Sequence, residues 1–348
     1  MNARLEKLRS RLDQPLLVTD LVNVLYLTGF ESSNAALLVG PDGDAELFTD
    51  FRYIEAAEGA AGDGVVAVEA KRALLADLAE RLQGRLAFEA DALPYAQYEL
   101  LASGGLELVP TRGIVESLRA VKDEAEIDHV RRAALAADRA FEALTAEAWI
   151  GHTERELAWR LHQLLHAHGA DALSFDISIA AGPNGSKPHT EPTDRIVEER
   201  TLVVADWGAR LDRYCSDCTR TLATGDVPRE LRRAYDACLA AQLAAVEGIR
   251  PGQTGAEADR LARAVIEERG YGDRFGHGLG HGVGLAIHEA PRLTFESQDV
   301  LEVGNVLTIE PGVYLPGLGG IRIEDLAVVR EDGVELLTRF PKELTFAS

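Results

Sequence analysis

Four acidic residues interrupt apolar, strand-like runs in the second half of the chain. They are Asp206 in TLVVADWG, Asp217 in RYCSDCTRTL, Glu310 in NVLTIEPGVY and Glu324 in GGIRIEDLAVV. A turn centred on Leu211–Asp212 would set Asp206 opposite Asp217 on adjacent strands, where opposed Cβ atoms lie about 4.5–5.5 Å apart. Glu310 and Glu324 bracket PGVYLPGLGGIRI, whose midpoint is Gly317, so a second hairpin pairs them in the same way. Four carboxylates gathered on buried strand faces repel one another unless protonated or neutralised, and two divalent cations supply the missing charge. Imidazoles are close by in GHGLGHGVGLAIHE, which holds His277, His281 and His288. Its glycines disfavour a helix, so the spacing of His277 and His281 is not a helical zinc pair. Four carboxylates with one imidazole make a hard, oxygen-rich site suited to Mn(II) and compatible with Co(II) or Zn(II). Cys215 and Cys218 flank Asp217, but an offset of three on an extended strand points them to opposite faces, and they read as packing residues. His129, His152, His162, His166 and His168 lie on or beside helical stretches and read as surface or packing residues.

Two kinds of pattern surround these residues. Residues 1–115 read as a small α/β domain: a helix over 2–12, then strand-like PLLVTD, NVLYLTGF, AALLVG and AELFTD, and a helical start at RYIEAAE. VVAVE, a helix over about 71–83, RLAFEA and LELVP complete it. Residues 116–348 begin with two amphipathic helices, ESLRAVKDEAEIDHVRRAALAADRAFEAL and GHTERELAWRLHQLLHAHG, the second opened by a Thr153/Glu156 capping box. Helices at about 228–247 and 255–269 follow, set among strands and Gly-rich turns. The expected class is α+β, with helices packed on a curved antiparallel sheet, and no tandem repeat is legible.

Bulk properties narrow the partners. A chain of 348 residues with formal charge -21 and pI near 4.9 argues against nucleic acid or an anionic membrane. Three cysteines make no disulfide framework. The stretch MNARLEKLRSRLDQ lacks the apolar run of a signal peptide, and no window reaches the roughly 18 apolar residues of a membrane span. A reducing cytoplasm is the expected compartment.

In order and spacing, ADWGARLDRYCSDCTRT, GHGLGHGVGLAIHE, LTIEPGVY and GIRIEDLAVV resemble the metal-binding segments of Xaa-Pro peptidases. These are the prolidase and aminopeptidase P group of the pita-bread metallopeptidases. NVLYLTGF and TDFRY resemble the group's creatinase-type N-terminal domain, and GPNGSKPHT its substrate loop. The resemblance implies a creatinase-like domain over 1–115 and a pita-bread catalytic domain over 116–348. Asp206 would chelate one metal, Asp217 and Glu324 would bridge both, and His281 and Glu310 would complete the other. His189, His277 and His288 would surround a small peptide with proline in second position. The ligand set argues against creatine hydrolases and binding-only relatives, and the N-terminal domain against a methionine aminopeptidase. A homodimer is expected on the same analogy.

The expected reaction is attack of a hydroxide, activated by the two metals, on the carbonyl before proline. Glu310 serves as general base and proton shuttle, His288 stabilises the oxyanion, and His189 lies near the proline. Arg322, two residues from Glu324 on one strand face, reads as an ion pair holding that carboxylate or as a substrate contact. Arg292 and Arg52 are candidates for the free carboxylate of a dipeptide. The short N-terminal domain and Arg292 favour an Xaa-Pro dipeptidase over aminopeptidase P acting on longer Xaa-Pro-Yaa peptides. A non-enzymatic peptide-binding relative is the remaining alternative.

Overall fold

A computed structural model describes residues 2–347. The chain folds as two compact units, Met1–Arg119 and Ala120–Ser348. The first runs α1 (Ala3–Arg9), β1 (Leu16–Val18), α2 (Leu21–Thr28), β2 (Ala35–Val39), β3 (Ala45–Thr49), α3 (Ile54–Ala60), β4 (Val65–Glu69), α4 (Leu74–Arg81), β5 (Arg85–Glu89), α5 (Tyr95–Ser103) and β6 (Glu107–Thr111). Its six strands form one mixed sheet in the order β4-β3-β2-β1-β5-β6. NVLYLTGF departs from its strand-like reading: Asn23–Thr28 belong to α2. Asp20 stops the preceding strand and caps α2 by accepting from Val22 N (2.7 Å) and Asn23 N (3.1 Å), and Gly29 ends it at φ 73°. The cap and the left-handed glycine outweigh the β-branched, aromatic composition.

The long helix read over residues 116–144 is two helices, α6 (Ile114–Ala120) and α7 (Glu124–Thr145). Asp123 leaves helical geometry (φ -78°, ψ 171°) to cap α7, accepting from Glu126 N at 2.9 Å while Glu126 accepts from Asp123 N at 3.0 Å. A continuous amphipathic stripe conceals such a break, because only the three residues Val121–Asp123 leave the helix. The second unit then runs α8 (Glu154–Ala167), β7 (Ala172–Leu173), β8 (Ser178–Ala181), β9 (Leu202–Trp207), β10 (Ala209–Leu211), β11 (Tyr214–Cys215) and β12 (Cys218–Ala223). It continues through α9 (Arg229–Gly248), α10 (Gly255–Glu268), β13 (Gly280–Gly282), β14 (Glu289–Leu293), β15 (Val306–Ile309), β16 (Gly312–Leu315), β17 (Gly319–Arg322), β18 (Asp325–Arg330) and β19 (Gly333–Leu336). Among the described residues, these strands pair antiparallel with one another, and no helix in the chain is long and apolar enough to cross a membrane.

Helices α7 and α8 bury Phe141, Leu157 and Leu161 with Ile179, Val203 and Trp207 of the strands. Phe141 stacks on Trp207 at 3.7 Å between ring centroids. Helices α9 and α10 bury Tyr235, Ala241 and Ile266 with Leu307, Ile309 and Ile321. Each fully buried large side chain contributes about 1.5–3 kcal/mol relative to exposure, so both strand hairpins are clamped from the helical side.

The two halves of this unit repeat one frame. Gly151-x-Thr153-x-x-Glu156 joins α7 to α8, and Gly252-x-Thr254-x-x-Glu257 joins α9 to α10. Both glycines are left-handed (φ 90° and 88°) and both threonines head capping boxes. Gly151 N donates to Val197 O and Val197 N to His152 O, while Gly252 N donates to Leu301 O and Leu301 N to Gln253 O. Further along, Glu154 N and Arg155 N donate to Arg195 O and Thr193 O, as Gly255 N and Ala256 N donate to Asp299 O and Ser297 O. So few side chains recur that the repeat is not visible in the sequence. The equivalence gives a test: Thr153→Ala and Thr254→Ala should each lower stability by a similar amount, about 1 kcal/mol, in urea unfolding followed by circular dichroism.

Candidate metal centre

The first hairpin turns at Asp212–Arg213, whose φ angles of 48° and 75° are both left-handed, as in a two-residue type I′ turn. The turn therefore lies one residue beyond the expected Leu211–Asp212, and the register shifts by two. Asp206 faces Thr219, not Asp217. A shift of two preserves the alternation of faces, so Asp217, at the break between β11 and β12, still points to the side of Asp206. The second hairpin turns about Gly317 (φ 77°). Ile309 pairs with Asp325 and Gly312 with Arg322 in one continuous register, which sets Glu310 across from Glu324. The hairpins join where Glu324 N donates to Thr219 O at 3.0 Å and Thr221 Oγ1 donates to Arg322 O at 2.9 Å.

One oxygen each from Asp206, Asp217 and Glu324 lies within 4.8 Å of the others. His281 Nε2 lies 3.6 Å from Asp217 Oδ2 and 3.5 Å from Glu310 Oε1. Asp217 thus stands between an all-carboxylate end and an imidazole end. His281 Nδ1 is 3.0 Å from Gly282 O, which fixes the proton there and leaves Nε2 free to ligate. Thr219 Oγ1 donates to Glu324 Oε2 at 2.7 Å and Thr308 Oγ1 to Glu310 Oε1 at 3.1 Å, so hydroxyls orient both glutamates.

This donor set fits divalent cations. Among the described residues Asp206 Oδ1 is buried without a hydrogen-bond partner, and the guanidinium paired to one of these four carboxylates is that of Arg322, whose Nη2 meets Asp206 Oδ2 at 2.6 Å. Burial, then the charges of Glu324, Asp206 and Glu310, push Asp217 well above the usual carboxylate range. Burial, then Glu310 and Asp206, does the same to Glu324. Burial pushes Glu310 up to about 7, while it lowers His281 to about 4. The acids are short of positive charge, and the imidazole is already in its ligating, neutral form.

A cavity of about 390 Å³ opens over these five residues, and His189, His277, His288, Arg292 and Arg322 line it as well. Arg322 pairs with Asp206, a correction to the reading that tied it to Glu324; it reaches Glu324 only through Thr219, to whose Oγ1 its Nε donates at 3.1 Å. The strand offset gave the right face but the wrong partner, because the acid across the hairpin junction is nearer in space. His277 is engaged at both ring nitrogens, Nδ1 with Gly278 O (2.8 Å) and Nε2 with Tyr314 OH (2.9 Å). It therefore shapes the wall rather than offering a free N–H. His288 sits edge-on to His281 at 4.4 Å between ring centroids. The Arg292 guanidinium makes no ion pair among the described residues, while Arg52 belongs to the first unit, where it forks onto Asp50 at 2.9 and 2.8 Å. Cys215 and Cys218 are free, buried and in different apolar clusters. Sequence reading passed over Tyr314, Thr219 and Thr308. Each left the same trace, lying an even number of residues from an acid in its hairpin: Thr308 and Tyr314 from Glu310, Thr219 from Asp217.

A family model described as "Metallopeptidase family M24" matches residues 128–331. The chain belongs to metallopeptidase family M24. A second model, "Creatinase/Prolidase N-terminal domain", matches residues 4–121. Along its length this M24 chain is 39% identical to the "uncharacterized peptidase YqhT" of Bacillus subtilis, covering 98% of this chain and 99% of that one. The solved Xaa-Pro dipeptidase from Bacillus anthracis is 39% identical with a TM-score of 0.95, covering 99% of each chain. The X-Pro aminopeptidase from Thermotoga maritima is 31% identical with a TM-score of 0.87, covering 96% of this chain and 97% of that one. The two-domain pita-bread architecture implied by the sequence resemblance is thus the fold, and family membership makes the chain a metallopeptidase that uses divalent metal.

Because metal binds the ionised acids, and Glu310 is raised to about 7 in the metal-free site, loading at neutral pH should expel protons from carboxylates rather than from His281. Titration calorimetry with Mn(II) at pH 7 in buffers of different ionisation enthalpy should show net proton release, and apparent affinity should rise with pH through neutrality. Buffer-independent heats would contradict this charge distribution.

Proposed function

We propose that the chain is an Xaa-Pro dipeptidase. The observation that supports this best is the convergence on one cavity of Asp206, Asp217, His281, Glu310 and Glu324 with His189, His288 and Arg292. In this reading those five residues hold two divalent ions, Mn(II) in preference to Co(II) or Zn(II), whose charge lets water ionise near neutral pH. Glu310, buried and held by Thr308, takes up the proton and passes it to the proline nitrogen, which needs one to leave as an amine. His288, kept neutral by burial and by the charge of Arg292, donates to the oxygen that gains negative charge. His189 lies at the proline side, and Arg292 answers the free carboxylate that follows proline in a dipeptide. A cytoplasmic homodimer is part of the same reading, on the strength of the family resemblance and of three free cysteines.

The deciding assay compares an Xaa-Pro dipeptide with an Xaa-Pro-Yaa tripeptide, with Mn(II), Co(II) and Zn(II) supplied separately. Dipeptide kcat/KM should exceed tripeptide kcat/KM by roughly tenfold or more, as expected when a charge pair is made with only one of them. A tripeptide preference moves the assignment to aminopeptidase P, and no hydrolysis with any of the metals moves it to a binding protein. Glu310→Gln should reduce kcat by about 10²–10⁴, the range of general acid–base contributions. Near-normal turnover in that variant would remove Glu310 from its role.

A further inference from the structure

Glu154 is fully buried at the start of α8, outside the cavity, and its carboxylate accepts an unusual number of hydrogen bonds. Ala181 N donates to Oε1 at 2.7 Å, and Asn184 Nδ2 lies 3.1 Å from each oxygen. Thr193 donates to Oε2 through both N (2.9 Å) and Oγ1 (2.6 Å). These donors stand at the two ends of the segment 182–192, which carries Pro188 and His189 into the cavity wall. Between the ends, Gly185 packs against Gly320 of β17, and two hydrogen bonds hold the segment near the cavity: Ser178 Oγ donates to Thr190 O (2.9 Å) and Arg322 Nη1 to Pro188 O (3.1 Å). Arg322 is the guanidinium that pairs with Asp206, so the seat of His189 and the carboxylate cluster share a residue.

The repeated frame sharpens the point. The second half places Gly255 where the first places Glu154, and there a Cβ would collide with Arg292 O, so the segment bearing Arg292 rests directly on the helix start. In the first half the corresponding contact is made by a carboxylate. An amide could not replace it. All five contacts come from N–H or O–H donors, and the NH2 group of glutamine would face donors with a donor.

We infer that Glu154 is a positioning residue for substrate binding, a buried anion that holds both ends of the His189 segment and thereby sets His189 against the substrate. The kinetic part rests on the dipeptidase reading; the ordering of the segment does not. The test combines hydrogen exchange with a double-mutant cycle on the Mn(II)-loaded full chain. Glu154→Gln should raise amide exchange within 182–193 selectively, leave metal content at the wild-type level, and raise KM for the Xaa-Pro dipeptide by about tenfold with kcat changed by less than about threefold. Combined with His189→Ala it should add little beyond the single His189→Ala loss, because both changes remove one contact. Unchanged exchange in 182–193, or multiplicative losses in the double variant, would overturn the inference. If Glu154→Gln does not fold, Thr193→Val removes one donor from the same carboxylate and enters the same cycle, with the same two outcomes. A wild-type chain that hydrolyses no Xaa-Pro peptide would refute the functional reading, while the exchange result would still decide whether Glu154 holds the segment.

Discussion

Mutual repulsion among Asp206, Asp217, Glu310 and Glu324 is the constraint around which the second unit is organised. Burial makes each charge costly and proximity makes the group costlier, so the arrangement is stable only with protons or cations among the acids. The surroundings neither relieve that repulsion nor let the acids turn away from it. One guanidinium answers one aspartate, threonine hydroxyls hold the glutamates, and the imidazole is kept uncharged. The protein has built a negative space and then fixed its walls.

Rigid walls come from ordinary forces acting on strands. The apolar faces of helices press on the backs of both hairpins, and hydrogen bonds from the Glu324 backbone N–H and the Thr221 hydroxyl join the hairpins edge to edge. The directional contacts are short and local, so precision at the acids does not depend on any long flexible side chain except Arg322. That side chain is immobilised by Asp206, Thr219, Tyr314 and the carbonyl of Pro188. It couples the ligand cluster to the segment carrying His189, so a disturbance of either is felt by the other.

Much of this was legible in residue order alone, because charged residues inside apolar strands are conspicuous and hairpin midpoints can be counted. The second hairpin was read in register, since Pro and Gly mark its turn. The first was misplaced by one residue at the turn, because Asp212 and Arg213 adopt left-handed geometry that neither advertises; period-two alternation protected the conclusion about faces. Thr219, Thr308 and Tyr314 carry no charge, and the contacts Thr219–Glu324 and Tyr314–His277 form only when segments far apart in sequence meet. The partner of Arg322 was missed for the same reason. In the first unit, α2 was hidden by residues that favour strands, and only Asp20 and Gly29 at its ends give it away.

The doubled helix-pair frame leaves the cavity with two walls of like build and unlike chemistry. Each copy ends in a hairpin bearing two acids, and neither copy alone encloses the space between them. The walls differ in what they present: short aspartates on one side, longer glutamates on the other, an imidazole at only one end, Glu154 in one copy where the other has Gly255. That inequality gives the cavity a direction along which a peptide, itself directional, can lie.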